Sequence, residues 1–501
     1  MSEKNKILLV NTLPRLDYWA INNEPVIGIP YGLICIGTIL NENRYDVLII
    51  DPLVDRDYLS IIDKNLSECL FVGISVMTAG VASGLQISDH IKKINPDIPI
   101  VWGGIHPTLF PESTLSDPSV DIVVWGEGEE TCLDLADALR VEKSLEQVKG
   151  IGYKDNNKQI FTERRDFIDL EKTPLNNYDL LDMEKYLYRD LRSLSVGAGK
   201  VKIIIIHSSR GCPYKCNFCI NTHPSQKHRS KSSERLLLEV DRVVEQYNPD
   251  IIYLQDDNFF TNKQRTFTFF NEYQKRGYHF RWFSLTRANY FHEGYLSDEF
   301  IHSFARSCLW LGMGVESGSD RIRKMINKDL NEDQILKAAK MLGKYKIPTG
   351  YAFMVGLPSE TIDEIFASIL LMERIKKMHS NAEFTYQYYR PYPGSKLYDT
   401  AVATGYVPPE SLRDWANNRD IDVGYISVDS LPWIKSPDLI KYLLLVVPLI
   451  FLNTDFKSNK SLWRLAQIYV TISYYSRKKI GFWSGLKFEV WIGNRIRRII
   501  S

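Results

Sequence analysis

Three cysteines stand close together in the segment SSRGCPYKCNFCIN, residues 208–221. Cys212, Cys216 and Cys219 follow the apolar run VKIIII, which begins at Val201, so they are expected on a polar loop directly after a strand. Thiolates are soft ligands that suit zinc, copper(I) and iron–sulfur clusters. The spacing C-x3-C-x2-C lets three such ligands converge on one centre, and this loop is therefore the first candidate for chemistry.

The trio of thiols admits three interpretations. A disulfide leaves one thiol over and requires an oxidising compartment, which nothing else in the sequence indicates. A structural zinc site needs a fourth ligand, for which His223 or His228 is available downstream. An iron–sulfur cubane with three cysteine ligands leaves its fourth iron open to a substrate or cofactor, whereas simple electron carriers use four cysteines. The cubane is favoured, and the mixed zinc site stays open as the alternative.

Composition limits the class of protein. A chain of 501 residues with 44% hydrophobic and 25% charged residues is globular and long enough for two or three domains. Its 62 basic and 61 acidic side chains nearly cancel, so no overall field favours nucleic acid. The N-terminus lacks the long apolar core of a secretion signal, which favours the cytoplasm. The other cysteines are interpreted as buried small hydrophobes: Cys35, Cys69, Cys132 and Cys308.

Hydrophobic periodicity divides the chain into four predicted segments. Residues 1–145 alternate short apolar runs with helical stretches, which predicts an open, doubly wound, Rossmann-like sheet of about five mostly parallel strands. Residues 146–200 are a predicted connector with a hairpin over GIGYKDNNKQIFTE. Residues 201–400 contain six strand–helix units, which predict a partial α/β barrel. Residues 401–501 are a predicted helical C-terminal region.

The first predicted sheet has a candidate ligand edge. In open α/β sheets, ligands bind outside the carboxyl ends of the strands, and here these ends carry small or polar residues. No G-x-G-x-x-G fingerprint follows the first strand, which counts against an ordinary dinucleotide site. Glycines at this edge suit close approach of a bulky ligand to the backbone. The candidate contact residues are Ser75, Thr78, Gly103, Gly104, His106, Gly126, Glu127 and Gly128.

The predicted barrel has a similar edge. Six consecutive strands end in polar or ligand-capable groups, and the carboxyl ends of barrel strands are where chemistry is found in this architecture. These strand ends carry the cysteine loop, Asp256–Asn258, Arg287, Glu316–Ser317, Gly356–Glu360 and Arg390–Gly394.

The cysteine loop resembles the C-x3-C-x2-C signature of the radical S-adenosylmethionine (SAM) enzymes, with Phe218 at the aromatic position before the last cysteine. The resemblance implies a [4Fe–4S] cluster on Cys212, Cys216 and Cys219, whose open iron is chelated by the amino and carboxylate groups of SAM. An electron from the cluster cleaves the sulfonium to a 5′-deoxyadenosyl radical. Such cleavage needs a strongly reducing cluster, so a reduced flavodoxin or ferredoxin is an implied partner.

The resemblance also assigns SAM contacts along the barrel. Asp256 and Asp257, in LQDDNFF, match the position that contacts the methionine amino group. Ser284 and Arg287, in SLTRAN, match ribose and carboxylate contacts, and a guanidinium can grip a carboxylate bidentately. Glu316, in GMGVESGS, is similar to the acidic residue that meets the ribose or the amino group.

Two later strands complete the predicted site. Gly356, in FMVGLPSET, resembles the glycine-containing motif of the fifth strand near the adenine. Tyr386, Tyr388 and Arg390, in EFTYQYYRPYPGSKLY, are expected to face the barrel mouth and to meet a polar or anionic group of the substrate.

Residues 5–140 resemble the cobalamin-binding domain that precedes the radical domain in one large subclass. The matching stretches are ILLVNTLP, IPYGLICIGTILNENRYDVLIID, GISVMTAG, VWGGIHPTLFPE and VVWGEGEET. The D-x-H-x-x-G motif, whose histidine ligates cobalt in many cobalamin proteins, is absent, which leaves the lower axial face to water or to a side chain of the first loops. His106 is the alternative ligand, although a loop residue near the nucleotide tail is the favoured interpretation.

The C-terminal region is basic. Residues 431–501 carry twelve basic and three acidic side chains, a surplus of nine. The apolar run YLLLVVPLIFL (442–452) is too short to cross a bilayer. Interleaved aromatic and basic residues suit either a helical cap over the active site, which is favoured, or a surface resting on anionic lipid. A membrane contact would point to a lipid or isoprenoid substrate.

The resemblance implies an enzyme acting on a small molecule, either a lipid or a secondary metabolite. The favoured function is methyl transfer: the radical abstracts hydrogen from an unactivated carbon, which then takes the methyl group of methylcobalamin. The second hypothesis keeps both cofactors and ends in cyclisation, oxidation or carbon–carbon coupling, because the motifs report radical initiation and not its product. The third is a non-catalytic cobalamin sensor.

Overall fold

The computed structural model describes residues 5–13, 20–21, 24–25, 28–156, 158–190, 200–418, 428–451, 471–477 and 486. The chain forms two compact units, an N-terminal unit of Met1–Tyr186 with Val407–Tyr425 and a C-terminal unit of Leu187–Tyr406 with Ile426–Ser501. Residues 14–19 and 22–23 of the first loop, NTLPRLDYWAINNEP, and most of the basic tail lie outside the described residues. The predictions made for them therefore stay predictions.

A seven-stranded sheet is the centre of the N-terminal unit. Its strands are β1 (Lys6–Asn11), β2 (Asp46–Ile50), β3 (Cys69–Ser75), β4 (Ile100–Gly103), β5 (Ile122–Val124), β6 (Ile151–Asp155) and β7 (Lys158–Phe161). They lie in the order β2-β1-β3-β4-β5-β6-β7, and the first five are parallel. The five predicted strands are confirmed. The predicted hairpin, antiparallel β6 and β7, extends the same sheet instead of standing apart from it.

The strand order of this sheet reverses at β1. Leu8 pairs with Leu48 of β2 on one side and with Val72 of β3 on the other. Because the crossovers leave in opposite directions, a crevice opens beyond the carboxyl ends of β1 and β3, where open α/β sheets bind ligands. Both strands are almost continuously apolar and buried, as expected for parallel strands covered on both faces.

The C-terminal unit contains a second seven-stranded sheet. Its strands are β8 (Tyr188–Asp190), β9 (Lys200–Ile206), β10 (Ile251–Leu254), β11 (Arg281–Thr286), β12 (Cys308–Glu316), β13 (Thr349–Val355) and β14 (Ala382–Tyr388). They lie side by side in chain order, and β9 to β14 are parallel. The six predicted barrel strands are confirmed. Because β9 to β14 are parallel, their six carboxyl ends lie at one edge of the sheet.

The helices of the N-terminal half surround the first sheet. They are α1 (Tyr31–Glu42), α2 (Tyr58–Asn65), α3 (Val81–Ile94), α4 (Ile105–Leu109), α5 (Pro111–Ser116) and α6 (Glu129–Arg140). The later helices are α7 (Glu184–Leu187), α8 (Ser233–Tyr247), α9 (Lys263–Lys275), α10 (Asp298–Phe304), α11 (Asp320–Met325), α12 (Glu332–Lys344), α13 (Ile362–Met378), α14 (Lys396–Ala403), α15 (Leu412–Asn417) and α16 (Pro437–Phe451).

Local sequence sets several helix ends. Ser232 caps α8 by accepting a hydrogen bond from the Arg235 N–H, as the serine run predicts. Helix α9 ends just before Gly277, which has φ +63° and suits a left-handed helix exit. Thr361 and Glu364 form a capping box that begins α13. These ends fix where each crossover returns to the sheet.

Two helices lie where the sequence pattern had not placed them. Helix α15 belongs to the N-terminal unit, although the sequence analysis grouped its residues with the C-terminal region. Helix α16 packs on β14, with the Phe451 ring 5.1 Å from that of Phe384, and buries much of the apolar run that begins at Tyr442. In the described part of the chain, no helix has both the length and the apolar character needed to cross a membrane.

Gly318 lets helix α13 lie directly against the segment after β12. A Cβ at this position would overlap the Ala367 carbonyl of α13, and the Gly318 N–H donates to Ser368 Oγ at 2.8 Å. Backbone cannot move aside as a flexible side chain can. Gly318→Ala is therefore expected to lower the free energy of unfolding by about 1–3 kcal/mol, seen as a lower midpoint in thermal unfolding.

The matched control for this substitution is Gly32→Ala on helix α1. A Cβ at Gly32 would meet nothing within 4 Å, so the substitution is expected to leave stability unchanged or to raise it by up to about 1 kcal/mol. Equal unfolding midpoints for the two variants would contradict the close approach at Gly318.

Candidate active site

The three cysteines lie on the loop after β9, at the carboxyl edge of the second sheet. Gly211 starts this loop with φ +71°, and a Cβ there would stand 2.8 Å from the Lys227 carbonyl oxygen, so the turn requires glycine. The thiol of Cys219 lies near enough to those of Cys212 and Cys216 for their charges to interact. All three are free thiols on this one loop, and their convergence on a single cluster stays a prediction.

Contacts with later parts of the chain hold the cysteine loop in place. The Asn217 side-chain amide donates to the Met325 carbonyl at 2.7 Å. The backbone N–H of Asn217 donates to the Ile326 carbonyl at 2.8 Å. The Leu397 N–H in turn donates to the Asn217 carbonyl at 2.7 Å. Phe218 packs beside the apolar cluster that includes Ile326. The aromatic residue before the last cysteine therefore anchors the loop.

Hydrogen-bond donors surround the sulfurs. Burial raises the pKa of the Cys212 and Cys219 thiols, while the backbone N–H groups of Tyr214 and Asn221 oppose this shift by bonding to the two sulfurs. The Asn221 side-chain amide also donates to the Cys219 sulfur at 3.5 Å. Partly buried thiols with N–H donors suit thiolate ligands of a metal cluster, because the metal replaces the lost solvent as the stabilising charge.

The donor set consists of three thiols. Cys308, the other cysteine of this unit, lies at the start of β12, and thus at the opposite edge of the sheet from the loop. The remaining cysteines belong to the N-terminal unit: Cys35, Cys69 and Cys132. The trio therefore fits a [4Fe–4S] cluster that takes three protein ligands, as the sequence analysis favoured.

The two histidines considered for a zinc site help to shape the loop. The ring nitrogen Nδ1 of His223 lies 2.7 Å from Ser225 Oγ, and Nδ1 of His228 lies 3.0 Å from the Gly211 carbonyl oxygen. Within the described ranges, no group of three Cys, His, Asp or Glu side chains is placed to hold a single metal ion. Both rings therefore have a role in the turn that begins at Gly211.

The adjacent aspartates after β10 have different environments. Asp256 is 1% exposed, accepts from the N–H groups of Ser208 and Ser209 at 2.7 and 2.9 Å, and lies 3.7 Å from the Arg265 guanidinium. Asp257 is exposed, and its carboxylate accepts from Asn221 Nδ2 at 3.2 Å beside the thiols. Asp256 is thus tied within the protein, whereas Asp257 is exposed beside the thiols, and the expectation that both contact the cofactor stays a prediction.

Ser284 and Arg287 are also tied within the protein. Ser284 is fully buried on β11 and donates to the Leu254 carbonyl at 2.7 Å, so its hydroxyl has a partner within the protein, and its ribose contact stays a prediction. Arg287 is 6% exposed and donates to the Lys328 carbonyl. Its guanidinium lies 3.6 Å from the centre of the Tyr214 ring. It stands beside the thiols, held by the protein, and not free to reach out to a carboxylate.

Arg287 also approaches the cysteine sulfurs. Its Nη1 lies 3.8 Å from the sulfur of Cys216 and its Nε 3.4 Å from Asn289 Oδ1. Asn289 donates to the Tyr214 hydroxyl at 2.9 Å and thereby holds the ring under the guanidinium. The Arg287 charge opposes the rise that burial causes in the pKa of the Cys212 thiol.

Glu316 forms a buried ion pair at the end of β12. Its carboxylate lies 2.7 Å from Lys328 Nζ, and both side chains are less than a tenth exposed. Glu316 has φ +71°, an uncommon backbone conformation for a residue with a side chain. Its carboxylate occupies the space above Gly314, where a Cβ would overlap it. The Lys328 ammonium also lies 5.7 Å from the Phe218 ring, which brings this pair to the cysteine loop.

Gly356 starts a turn closed by Glu360. The N–H groups of Gly356 and Leu357 donate to Glu360 Oε2 at 2.7 and 3.2 Å, and Gly356 has φ +76°. The Gly356 carbonyl accepts from Trp433 Nε1 at 2.9 Å. Burial raises the pKa of the Glu360 carboxyl to about 7, and its Oε1 is buried without a partner among the described residues.

The orientation expected for the β14 tyrosines is corrected. Tyr386 and Tyr388 are buried, and they share the face of β14 that carries Phe384, which packs against helix α16. Successive strand residues alternate between faces. The exposed side chains of Thr385 and Gln387 are therefore the ones on the opposite face. Arg390, beyond the strand, lies 4.8 Å from the Tyr388 ring.

The candidate ligand edge of the N-terminal unit lies at the carboxyl ends of β3, β4 and β5. Gly104 has φ +101° and Gly126 has φ +108°, so both positions favour glycine. The Gly126 N–H donates to Thr108 Oγ1 at 3.0 Å, and the His106 N–H donates to the Val76 carbonyl at 3.1 Å. These bonds connect the loops that carry the predicted contact residues Ser75, Thr78, Gly103, Gly104, His106, Gly126, Glu127 and Gly128.

Some of these residues have structural partners. Glu127 accepts a hydrogen bond from the Ile168 N–H at 2.9 Å, which ties the segment after β7 to this edge. A Cβ at Gly128 would stand 2.9 Å from Ile36 Cδ1, so this glycine allows helices α1 and α6 to approach. Gly126 differs, since a Cβ there would meet nothing within 4 Å. Gly126 is therefore the glycine that borders open space at the edge.

His106 is enclosed by other side chains. The ring is fully buried, and its centre lies 5.3 Å from that of Phe110 and 5.6 Å from that of Trp415. Burial lowers the pKa of the imidazole to about 3, so it is neutral. Its Nε2 is buried without a hydrogen-bond partner among the described residues, and the alternative of His106 as a cobalt ligand stays a prediction.

Sequence reasoning missed several residues of these sites. Lys328 and Asn289 lie far along the chain from the cysteines and carry no local signal. Tyr214 and Asn221 flank the cysteines, so adjacency to the motif would have found them. Met77 is 67% exposed between two predicted contact positions at the edge of the first sheet, and an exposed apolar side chain there is the signal.

The two aspartates provide a stability test. Asp256→Asn removes the charge that pairs with the buried Arg265, so we expect a loss of about 3–5 kcal/mol in the free energy of unfolding. Asp257→Asn changes an exposed side chain and is expected to cost less than about 0.5 kcal/mol. Chemical unfolding of the two variants measures these changes. Equal losses of unfolding free energy would contradict the assignment of Asp256 as the buried partner of Arg265.

Glu360 provides a pH test. Its pKa of about 7 exceeds the ordinary value of 4.5, so between these values the folded protein binds more protons than the unfolded chain. The contribution of Glu360 to stability therefore falls as pH rises through this window, by a total on the order of 3 kcal/mol. We expect the unfolding midpoint of Glu360→Gln to fall less between pH 5 and about 7.5 than that of the wild type. If the unfolding midpoints of the variant and the wild type change in parallel with pH, the raised pKa of Glu360 is contradicted.

Two domain profiles match the chain. The profile of the Radical SAM superfamily matches residues 206–372, which include β10 to β13 and the cysteine loop. The profile of the B12 binding domain matches residues 21–136, which include β2 to β5 and the loops of the candidate ligand edge. Each profile thus coincides with one of the two edges described above.

Curated relatives include methyltransferases and a cyclase. An uncharacterised methyltransferase of Pyrococcus horikoshii is 31% identical over 405 residues, covering 79% of this chain and 83% of that protein. The anaerobic magnesium-protoporphyrin IX monomethyl ester cyclase of Rubrivivax gelatinosus is 26% identical and covers 65% of this chain and 57% of the cyclase. The cytidylyl-2-hydroxyethylphosphonate methyltransferase of Streptomyces wedmorensis is 26% identical, covering 81% of this chain and 83% of that enzyme.

Solved structures share the fold over most of the chain. OxsB, a cobalamin-dependent SAM radical enzyme solved with aqua-cobalamin and SAM, superposes with a TM-score of 0.70 at 19% identity, over 99% of this chain and 75% of OxsB. The radical SAM methyltransferase TsrM from Kitasatospora setae was solved with cobalamin and a [4Fe–4S] cluster. It superposes with a TM-score of 0.64 at 15% identity, over 94% of this chain and 99% of TsrM. The two matching domains and the relative of Pyrococcus horikoshii make this chain a member of the radical SAM superfamily, in the group whose radical domain follows a B12-binding domain.

Proposed function

We propose that this enzyme transfers a methyl group to an unactivated carbon of a small molecule. The cofactors of its family are a [4Fe–4S] cluster, SAM and cobalamin, and both domains that hold them are present. Two relatives that match most of the chain are named methyltransferases. Methyl transfer is therefore preferred among the outcomes open to these cofactors.

The observation that carries the proposal is the placement of three free thiols on one loop at the carboxyl edge of the second sheet, with Cys308 at the opposite edge. A cluster on Cys212, Cys216 and Cys219 would keep one iron for a small ligand. Together, the cofactors supply an organic radical that removes hydrogen and a methyl group that replaces it. The protein has to bind, orient and shield the reacting groups.

Side chains around the thiols are suited to this task. The exposed carboxylate of Asp257 stands beside Cys219 and would bind the ammonium group of SAM. Phe218 and Met354 belong to an apolar cluster at the same edge and would exclude water from the open iron. The Arg287 guanidinium, held beside Cys216, would stabilise the cluster thiolates. We propose Gly356 as the backbone position near the adenine.

The substrate would lie against the face of the second sheet opposite to its helices. Thr385 and Gln387 are exposed there, and the Tyr253 and Phe283 rings stack at 4.2 Å. An aromatic pair with polar side chains nearby suits a small molecule that has an apolar body and a few hydrogen-bonding groups. Arg390, beyond β14, would meet an anionic group of such a substrate.

The proposal includes an electron donor and a reducing compartment. A reduced flavodoxin or ferredoxin would supply the electron, because clusters that cleave SAM are strongly reducing. We place the enzyme in the cytoplasm, where thiols stay reduced. Helix α16 buries its apolar run on β14, so this run is not available to a lipid surface, and the cap over the active site stays our proposal for the basic residues that follow it.

Ring formation is the second candidate function, and one observation favours it. The cyclase of Rubrivivax gelatinosus is 26% identical over 336 residues. Both candidates share the same cofactors and differ in whether the substrate gains a methyl group. Product analysis, and not the site around the thiols, separates them.

The central test uses full-length protein reconstituted anaerobically with iron, sulfide and cobalamin. We expect about four irons per chain and, after reduction, conversion of SAM to 5′-deoxyadenosine, both measured on the same sample. Cys216→Ala is expected to abolish cluster and cleavage while cobalamin still binds, because the two edges belong to different units. Cys308→Ala, at the other end of the sheet, is the matched control and should retain both. Wild-type protein that holds zinc in place of iron would contradict the proposal.

The nucleoside products decide between the two candidate functions. S-adenosylhomocysteine formed together with 5′-deoxyadenosine in the presence of substrate indicates methyl transfer, because one SAM supplies the methyl group and a second the radical. 5′-Deoxyadenosine alone would contradict methyl transfer and favour cyclisation. Chromatography of the reaction mixture measures both nucleosides.

A further inference from the structure

Helix α15 joins the core of the N-terminal unit although it follows the second sheet in sequence. Leu412 and Trp415 are 1% and 2% exposed, and they belong to the apolar core that includes Val81, Leu85 and Leu115. The helix contacts α3 and α5. A segment that comes after the radical domain is thus part of the B12-type unit.

Arg413 fixes this helix with a forked ion pair. Its Nη1 and Nη2 donate to the two Asp89 carboxylate oxygens at 2.7 and 2.8 Å, and its Nε and Nη2 donate to those of Asp117 at 2.7 and 3.0 Å. Asp89 lies on α3, and Asp117 ends α5. The Asp117 side chain is only 4% exposed. One planar guanidinium therefore joins three helices in a geometry that a lysine does not reproduce.

Trp415 closes over His106 from the same helix. The two ring centres are 5.6 Å apart in an edge-to-face arrangement, and the Trp415 ring lies 5.0 Å from that of Phe110. On its other side, His106 Nδ1 lies 3.4 Å from Thr78 Oγ1, and its backbone N–H bonds to the Val76 carbonyl. His106 therefore stands between helix α15 and two loops of the ligand edge.

We propose that helix α15 holds the His106 loop in the conformation that binds cobalamin, with Trp415 and Arg413 as positioning residues. The inference rests on cobalamin binding by this family and goes beyond the methyl-transfer proposal. Residues 76–78 and 104–108 border the crevice where an α/β sheet of this order binds its ligand. Without Trp415, the His106 ring would lose a packing partner, and the loops 76–78 and 104–108 that it connects would be less well ordered. The ligand edge would then bind a bulky ligand less tightly.

The test titrates full-length protein with hydroxocobalamin and follows the absorption spectrum of the bound corrin. Trp415→Ala is expected to weaken binding by about tenfold or more and to change the spectrum of what still binds. Trp415→Phe keeps a ring against His106 and is expected to restore most of the affinity. Arg413→Gln is expected to weaken binding, and Arg413→Lys to restore little, because an ammonium does not span both carboxylates.

A matched variant separates positioning from general stability. Leu412→Ala removes packing from the same helix and core without touching the aromatic trio, so it is expected to lower the unfolding midpoint but to keep cobalamin affinity within about twofold. Glu410→Gln, an exposed position just before the helix, is expected to change neither. Cluster iron content, which reports the C-terminal unit, is expected to stay the same in all variants.

The possible outcomes decide the inference. It is overturned if Trp415→Ala binds hydroxocobalamin like the wild type, or if Leu412→Ala loses as much affinity as Trp415→Ala. Should Trp415→Ala fail to fold, the Arg413 variants decide, and equal affinity of Arg413→Gln and wild type overturns it. Wild-type protein that binds no cobalamin overturns both this inference and the proposed function. Wild-type protein that binds it without methyl transfer contradicts the proposed function alone.

Discussion

Three thiols must converge where six parallel strands end, and the arrangement of the C-terminal unit depends on this requirement. A loop of this kind cannot hold its shape alone, because its backbone groups need partners and its sulfurs need N–H donors. Asn217 is bonded to the segment around Ile326 and to the start of α14. The cysteine loop is therefore held by the end of α11 and the start of α14, which lie far from it in sequence.

Buried charges at this edge are paired. Asp256 is held by backbone N–H groups and by Arg265, and Glu316 is paired with Lys328. A buried charge without a partner would be costly, so each pair has to form as the strands come together. Asp257 is exposed at this edge, and we propose it as a ligand contact.

The N-terminal unit forms its candidate ligand site through strand order and loop shape. Its strand order opens a crevice at β1 and β3, and glycines with positive φ at 104 and 126 shape the loops around it. Behind these loops, the His106 ring is enclosed by aromatic side chains, one of them from helix α15. The unit is thus completed by a segment that follows the radical domain in sequence.

The sequence by itself determined the elements and the kind of chemistry. Apolar periodicity fixes strand and helix type locally, and the cysteine spacing fixes the ligand class, so both sheets and the thiol trio were predictable. Only the tertiary structure decided which of Asp256 and Asp257 is open and which face Tyr386 takes, because one step along a strand or loop reverses a side chain's direction. It also decided the partners of Glu316 and Arg413, which come from distant segments and leave no local pattern. The physical reason is that periodicity is a local property of the chain, whereas burial and charge pairing arise only when distant segments meet.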